Sequence, residues 1–249
     1  MDLPVEMEIL AGLFLCSNES NDILNVLKPE WKEKINLSIK EKLSSLNYHL
    51  PSVFPWKDEL SDGVDHEKFC ESFLIQPDLF IRIRPHHAEE ILLKLDKTGV
   101  EYEFISPFTI RLPNSFKADQ YFELDKEIVI QDHSSQQIAN FLPVDHEKIN
   151  DVWDCCAASG GKSILAYDLN PSIELTVSDV RGSILANLKK RFKRAGIKNY
   201  QSFVADLACN QQPATRNYDL IIADVPCTGS GTWSRTPEQL FYFDKSKID

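Results

Sequence analysis

The sequence lacks several features that define other classes of protein. No uninterrupted apolar run approaches the roughly 20 residues that a membrane-spanning helix needs, so we expect no bilayer span. The first 15 residues place acids ahead of a short apolar patch, which is the wrong charge order for a secretory signal. Without such a signal we expect a cytoplasmic protein whose six cysteines are reduced thiols. The cysteines include no Cys-x-x-Cys pair, so we expect no zinc site.

The composition is that of a folded domain with an uneven charge distribution. Of 249 residues, 43% are hydrophobic and 26% are charged, and fourteen Phe supply bulky apolar surface for a core. Residues 1–150 carry a balance of −12 and residues 151–249 a balance of +1, which together give the net charge of −11. Such an acidic chain binds nucleic acid only through a local basic patch.

The first part of the chain has the pattern of helices. Apolar residues recur every three or four positions over 24–46 and predict one amphipathic helix, with Pro29 tolerated in its first turn. The stretch 47–65 is rich in Pro and Gly and indicates a connection, where we expect a subdomain boundary. We therefore expect a helical N-terminal segment over 1–70.

The periodicity changes after that segment. Apolar and basic residues alternate over 81–84, a helical pattern follows over 86–97, and two short strands are predicted over 101–105 and 108–112. This combination predicts a small α+β module over 71–126. Beyond it, IVIQD is predicted to be a strand and SSQQIANFL a helix that is capped by Ser134 or Ser135.

The last hundred residues have the pattern of a parallel sheet. Helical stretches separate four short apolar strand candidates: 152–155, 173–178, 200–204 and 220–223. Because such sheets bind ligands at the carboxyl ends of their strands, candidate site residues are sought there.

The first candidate site follows the first of these strands, over 154–163. Its small side chains allow a ligand to approach the backbone, and the free N–H groups of the following helix can hold a carboxylate or a phosphate. A P-loop would share the final Gly-Lys-Ser but requires glycine where Cys156 stands. The strand that ends at Asp224 favours this alternative, because that carboxylate could hold Mg²⁺.

A nucleoside cofactor is the competing interpretation of the same loop. Asp179 ends the second strand, 17 residues beyond Lys162, where a carboxylate can bind both hydroxyls of a ribose. Alternatively, Asp179 caps the helix that begins near Arg181, since Asp is a favoured N-cap residue.

The second candidate site, 224–233, follows the fourth strand. Pro226 and two glycines predict an irregular loop that presents Cys227. This cysteine is either an inert residue or a nucleophile beside a carboxylate.

Together these motifs resemble the RNA (cytosine-5) methyltransferases of the Sun/RsmB type, which use S-adenosylmethionine. Cys156–Lys162 is similar to the family pattern Cys-Ala-Ala-Pro-Gly-Gly-Lys, and 224–231 to Asp-Ala-Pro-Cys-Ser-Gly-x-Gly. Arg235-x-Pro237-Glu238 and the lead-in over 130–136 add to the likeness. It covers roughly 127–240, and 72–112 is more weakly similar to the module that precedes the catalytic domain in these enzymes.

The resemblance implies the fold class and the site. We expect an α/β chain with an incomplete Rossmann-like class I methyltransferase sheet over 127–249, preceded by a small RNA-binding-like α+β module and the N-terminal helical segment. Asp179 would bind the ribose of S-adenosylmethionine, Asp206 would lie on its adenine side, Asp224 would face its methionine end or the target base, and no metal is involved. The thiol of Cys227 and the carboxylate of Asp224 would be catalytic. The methionine end of the cofactor would lie on the backbone of Cys156, Ala157, Ala158, Ser159, Gly160, Gly161 and Lys162.

Two departures from the family pattern matter. Ser159 stands where the family has proline. Family members also carry a second cysteine in a Thr-Cys motif on a later strand, whereas this chain ends at Asp249 with four of seven expected strands, so we expect a fragment. Cys227 is then either the assisting thiol of a longer enzyme or the active thiol of this one.

We therefore expect a monomeric methyltransferase that acts on cytosine in structured rRNA or tRNA, with no membrane or DNA partner. The alternatives are a catalytically inactive truncated cofactor- or RNA-binding fragment and a P-loop-like nucleotide hydrolase. Arg82 and Arg84 are candidate RNA contacts, and an amphipathic helix offers a further set: Arg181, Lys189, Lys190, Arg191, Lys193, Arg194 and Lys198.

Overall fold

The computed structural model describes residues 4–142, 149–209, 216–236, 239–240 and 242–247. The chain forms two compact units, of which the first comprises Met1–Pro77 and Cys227–Asp249 and the second Asp78–Pro226. Residues 47–65, where we expected a subdomain boundary, lie inside the first unit. The division into three domains at residues 70 and 126 remains a prediction. Pro237 and Glu238 of the second motif lie outside the described residues.

Helices and strands alternate along the second unit, whereas the first unit is helical. The helices are α1 (Val5–Cys16), α2 (Asp22–Leu27), α3 (Ile39–Leu46), α4 (His66–Ser72), α5 (Ala88–Thr98), α6 (His133–Gln136), α7 (Gly161–Leu169) and α8 (Gly182–Ala195). The strands are β1 (Leu79–Ile83), β2 (Glu103–Ser106), β3 (Thr109–Leu112), β4 (Ile128–Ile130), β5 (Asp151–Asp154), β6 (Glu174–Asp179), β7 (Tyr200–Val204) and β8 (Leu220–Ile222). Within the described ranges, no helix combines the length and the apolar character that crossing a membrane demands.

The apolar stripe over 24–46 does not form the continuous helix that its spacing predicts. The chain leaves α2 at Lys28, whose backbone is not helical (φ −142°, ψ 58°), and forms a 3-10 helix over Pro29–Lys34. A new helix, α3, then starts with a capping box in which Ser38 and Glu41 bind each other's backbone N–H groups. The prediction failed because proline lacks an N–H donor and because 3-10 and α periodicities are similar over short stretches.

The core of the first unit is aromatic and includes residues from both ends of the chain. Trp233 is only 2% exposed, and its ring lies 4.6 Å from that of Phe243 and 6.2 Å from that of Phe54. The segment that follows Cys227 is therefore anchored by the N-terminal helices of the same unit.

A small α+β arrangement lies at the start of the second unit, and its last strand, β4, lies beyond residue 126, where the predicted module ends. Its antiparallel sheet has the order β2-β3-β1-β4, and α5 packs on one face. Ile81 and Ile83 point from β1 into this core with Ile91 of α5, and all three are buried. The period-2 alternation of β1 therefore places Arg82 on the opposite face, and Arg84 directly follows the strand.

Arg82 and Arg84 are buried, so their prediction as RNA contacts is wrong. The Arg82 guanidinium lies 2.5 Å and that of Arg84 2.7 Å from the carboxylate of Asp168 in α7. Arg84 also donates to the backbone carbonyls of Asp125 (2.7 Å) and Ala195 (2.9 Å). The two arginines join the small sheet to the helices of the parallel sheet.

The predicted parallel sheet is confirmed, and its strands begin and end within one or two residues of the predicted bounds. Its order is β7-β6-β5-β8, with each neighbouring pair parallel. The apolar stripe of α8, including Leu188 and Phe192, is buried in the core that α8 shares with the sheet. The α/β, Rossmann-like fold class is thereby confirmed.

The helix after β4 starts one residue earlier than predicted. Asp132 is the N-cap residue of α6 and makes no side-chain capping bond, whereas Ser134 and Ser135 lie inside the helix. The predicted serine cap is therefore wrong. The helical pattern continues as a 3-10 helix over Gln137–Phe141.

Candidate functional site

Acidic residues follow each strand of the parallel sheet at its carboxyl edge. Asp154 ends β5 and Asp179 ends β6, while Asp206 and Asp224 lie two residues beyond β7 and β8. Because the four strands are parallel, these carboxylates belong to one edge of the sheet, where such folds bind ligands.

The loop after β5 crosses this edge in an unusual backbone conformation. The N–H of Cys155 donates to the carbonyl of Ile222 (3.0 Å), and the N–H of Ala157 to that of Ser178 (2.9 Å), so both neighbouring strands hold the loop. Ala158 has φ +46° and Gly160 has φ +83°, both in the left-handed region. A non-glycine residue with this conformation is uncommon and is often found at ligand sites.

Gly160 is required by close packing as well as by its backbone angle. A Cβ atom there would lie 2.8 Å from Cε1 of Phe192 and 3.0 Å from Cγ of Leu188. The loop therefore rests directly on α8, and its other side is free to face a ligand.

A crevice of about 260 Å³ lies on that other side. Seven of the residues predicted to bind the cofactor line it: Cys156, Ala157, Ala158, Ser159, Gly161, Lys162 and Asp224. Gly160 does not, since it packs against α8. Asp179 and Asp206 are also outside this lining, so the crevice corresponds to one end of the predicted cofactor site.

An ion pair joins the first motif to the start of the second. The ammonium of Lys162 contacts the carboxylate of Asp224, and their side chains are 20% and 53% exposed. Both residues were predicted to lie in the site, but their ion pair was not predicted.

Asp154 begins the first candidate site, but no role was predicted for it. It is fully buried and borders the crevice; its Oδ2 accepts a hydrogen bond from Ser163 Oγ (2.6 Å), and its Oδ1 has no partner among the described residues. Burial raises the pKa of Asp154 to about 6. An unpaired buried acceptor beside a crevice is suited to a donor group of a ligand. In the sequence, the position of Asp154 at the end of a predicted strand was the feature that could have indicated a role in the site.

The same hydrogen bond bears on the nucleotide hydrolase hypothesis. A P-loop needs the hydroxyl after its lysine to bind Mg²⁺. Ser163 is instead completely buried and donates to Asp154. This orientation disfavours a P-loop.

Asp179 is buried and stabilises the loop. Its carboxylate accepts hydrogen bonds from the N–H of Ala158 (3.0 Å) and from the N–H (2.9 Å) and Nε (3.0 Å) of Arg181. Burial acts to raise the pKa of Asp179, but the hydrogen bonds from Arg181 and Ala158 outweigh it and lower the pKa. Arg181 is itself the N-cap residue of α8, so Asp179 supports the turn into the helix. Its ribose-binding role remains a prediction.

Asp206 lies in a short turn beyond β7. Its carboxylate accepts hydrogen bonds from the N–H of Ala208 (3.0 Å) and from Sγ of Cys209 (3.3 Å). Contact with an adenine remains a prediction.

The cysteines differ sharply in their surroundings. Burial raises the pKa of Cys155 to about 11, with Cys156 adding to the shift, so Cys155 is a neutral thiol at neutral pH. Cys227 belongs to the first unit and is exposed, and its Sγ accepts a hydrogen bond from the N–H of Gly229 (3.4 Å). Its role and its approach to the crevice remain predictions.

The basic residues in and beside α8 are of two kinds: arginines that pair with carboxylates, and exposed lysines. Arg181 pairs with Asp179, while Arg191 and Arg194 both pair with the buried carboxylate of Asp125. The remaining basic residues of the predicted RNA-contacting set are exposed: Lys189, Lys190, Lys193 and Lys198.

One group of possible metal ligands lies apart from the crevice. The side chains of His87, Glu90 and Glu127 place ligand atoms within 4.8 Å of one another. The ammonium of Lys94 already binds both carboxylates, at 2.8 and 2.6 Å. The ammonium group of Lys94 therefore supplies the positive charge that a metal ion would otherwise bring to these carboxylates.

Comparisons with known proteins match the part of the chain that contains both motifs. Residues 139–246 match the family model described as 16S rRNA methyltransferase RsmB/F. The probable ribosomal RNA small subunit methyltransferase B of Bacillus subtilis (strain 168) is 28% identical over 181 residues, which cover 70% of this chain and 40% of that protein. The chain thus spans less than half the length of this relative.

Solved structures support the fold. The crystal structure of PH0851 superimposes with a TM-score of 0.69 at 23% identity, covering 91% of this chain and 55% of that one. A methyltransferase homolog protein from Pyrococcus horikoshii superimposes with a TM-score of 0.58 at 23% identity, covering 77% of this chain and 64% of that one. The match over 139–246 includes both motifs, so the predicted resemblance is confirmed: the chain is similar to the Sun/RsmB-type methyltransferases.

Proposed function

We propose that this chain is part of an RNA (cytosine-5) methyltransferase that transfers a methyl group from S-adenosylmethionine to cytosine in structured rRNA or tRNA. The observation that carries the proposal is the crevice between the 156–162 loop and Asp224, at the carboxyl edge of a parallel sheet. The family match over 139–246 supports the same activity.

The residues around the crevice fit the amino-acid end of this cofactor. Its ammonium group needs an anionic acceptor, and the unpaired Oδ1 of Asp154 is buried beside the crevice. Its carboxylate needs donors, which Lys162 and the backbone N–H groups at the start of α7 supply. When bound, the cofactor supplies an electrophilic methyl group on its sulfonium.

The nucleoside end would extend along the sheet edge. Asp179 would bind the ribose hydroxyls, and Asp206 would lie on the adenine side. The Arg181 side chain that now covers the Asp179 carboxylate is 59% exposed, so it can leave that carboxylate without disturbing the core. Both roles follow from the family resemblance.

The thiol of Cys227 would act on the base. Carbon 5 of cytosine is a weak nucleophile until a thiolate adds at carbon 6 and creates an enamine. After carbon 5 is methylated, its proton leaves to a base and the thiol is eliminated from carbon 6, which restores the aromatic ring. Cys227 would perform either the addition or the release, with Asp224 facing the methionine end or the base.

The exposed lysines of α8 would contact RNA phosphates. Lys189, Lys190 and Lys193 lie on the outer face of the helix, opposite Leu188 and Phe192 in the core. We expect binding to weaken uniformly across RNA sequences when these lysines are replaced, because phosphate contacts carry no base information. We expect the protein to act as a monomer, without a DNA partner.

The proposal is tested by incubating the chain with RNA and S-adenosylmethionine that carries a labelled methyl group. The RNA is then digested to nucleosides, and 5-methylcytidine is the expected labelled product. Cys227→Ala should abolish labelled 5-methylcytidine, whether the thiol performs the addition or the release, whereas Cys16→Ser, at an exposed cysteine of the same unit, should not. Label on adenosine or on protein would count against the proposal.

An inactive cofactor-binding fragment is distinguished by the same assay. Such a fragment would bind S-adenosylmethionine in calorimetry but transfer no methyl group to any RNA. Transfer by the 249-residue chain alone would exclude that alternative.

A further inference from the structure

Ser159 is held by an arginine through both of its oxygen atoms. Nη1 of Arg191 donates to the Ser159 hydroxyl (2.9 Å) and to its backbone carbonyl (3.1 Å). Ser159 lies between Ala158 and Gly160, the two residues of the loop with left-handed backbone angles. The arginine therefore binds the loop between its two residues with left-handed backbone angles.

Arg191 is itself fixed by the small α+β module. Its Nε donates to Oδ1 of Asp125 (2.8 Å), and its Nη2 lies 2.7 Å from the same atom. Asp125 is 3% exposed, and Arg84 donates to its backbone carbonyl. One guanidinium thus connects a buried residue of the module to the loop that lines the crevice.

Arg194 provides an internal comparison. It binds the other oxygen of the Asp125 carboxylate through Nη2 (2.5 Å) and Nε (3.0 Å). No hydrogen bond joins it to the loop among the described residues. The two arginines therefore share the partner in the module, but only Arg191 contacts Ser159 and lines the crevice.

We propose that Arg191 is a positioning residue, which holds the 156–162 loop in its ligand-binding conformation through Ser159 and so links docking of the small module to cofactor affinity. This inference rests on the proposed function. A loop with left-handed residues relaxes to other conformations when its restraint is removed, and binding must then restore the order. The free energy that is needed to order the loop then makes binding of the ligand weaker.

The test compares Arg191→Met with Arg194→Met in the full chain. Calorimetry with S-adenosylmethionine should show affinity about tenfold weaker for Arg191→Met, as expected for losing charge-assisted hydrogen bonds, and little change for Arg194→Met. Ser159→Ala should weaken binding less, because the backbone carbonyl still accepts. The double variant Arg191→Met/Ser159→Ala should bind no more weakly than Arg191→Met alone, since both changes remove the same interaction between Arg191 and Ser159.

Hydrogen–deuterium exchange without ligand gives a second readout. Amides of 156–162 should exchange faster in Arg191→Met and Ser159→Ala than in the wild type, and at the wild-type rate in Arg194→Met. Equal effects of the two arginine variants, or unchanged exchange in Arg191→Met, would overturn the inference. If Arg191→Met does not fold, Ser159→Ala decides it alone. A wild-type chain that binds no S-adenosylmethionine would contradict the proposed function, while the exchange comparison would still decide the role of Arg191.

Discussion

Lys162 and Asp224, 62 positions apart in the sequence, form an ion pair at the mouth of the crevice. The lysine lies in the first turn of the helix after one strand, and the carboxylate follows the neighbouring strand. Each residue therefore limits the position of the other where the cofactor is expected to lie.

Replacing either partner should affect ligand binding more than stability. The pair is partly exposed, so Lys162→Met should lower the free energy of unfolding by less than about 1 kcal/mol. Its affinity for S-adenosylmethionine should fall by about tenfold, because a charged donor is lost from the site. Lys40→Met, which breaks the exposed pair with Glu67, should leave affinity unchanged. Equal affinity in the two variants would exclude Lys162 from the site.

The carboxyl group of Asp154 should make stability depend on pH. Its pKa is raised to about 6, so the unfolded state, with an ordinary pKa, ionises first as the pH rises. The folded protein should therefore lose stability between about pH 4 and pH 6 and lose no more from this group above that range. Asp154→Asn keeps an acceptor for Ser163 and removes the charge. We expect it to be more stable than the wild type at pH 7.5, by up to about 2–3 kcal/mol.

Urea denaturation at pH 4.5 and pH 7.5 measures this difference. The exposed carboxylate of Asp62 offers a control, since Asp62→Asn should follow the wild-type profile. Parallel profiles for Asp154→Asn and the wild type would show that Asp154 is not the group responsible.

Gly160 should tolerate a methyl group worse than other glycines with positive φ. Gly160→Ala combines a strained backbone with a contact of 2.8 Å to Phe192, and we expect it to cost about 2–5 kcal/mol of unfolding free energy. Gly99→Ala has a similar φ of +68° but nothing within 4 Å, and should cost about 1–2 kcal/mol. Thermal and urea denaturation of both variants separate packing from backbone strain. Equal losses would mean that the loop does not rest on α8.

The buried contacts of Asp168 should be essential for stability. Arg84→Met leaves the Asp168 carboxylate buried with one fewer partner, and we expect a loss of about 3–5 kcal/mol. Arg111→Met breaks only exposed pairs, with Glu103 and Asp78, and should cost less than about 1 kcal/mol. Denaturation midpoints at a constant m-value provide the measurement. A loss in Arg84→Met no greater than that in Arg111→Met would contradict the structural role of this pair.

Much of the second unit could be predicted from local patterns. Short apolar runs with helices between them specify buried parallel strands, and Asp179 and Asp224 were found because they stand where such strands end. The 156–162 loop was found because small residues before a helix allow close approach of a ligand.

The errors arose where distant residues decide the outcome. Arg82 and Arg84 are typical of an exposed basic surface in sequence, but their partner Asp168 lies more than 80 positions away and burial followed from it. The unpaired oxygen of Asp154 depends likewise on the three-dimensional packing around it. No local pattern encodes either arrangement.

A crystal structure with bound S-adenosylhomocysteine tests the central claim most directly. The account predicts that its amino-acid end lies on the 156–162 backbone, that its ribose hydroxyls bind Asp179, and that the thiol of Cys227 faces the sulfur across a space large enough for cytosine. A ligand bound away from this loop, or a Cys227 thiol directed away from the ligand, would contradict the account.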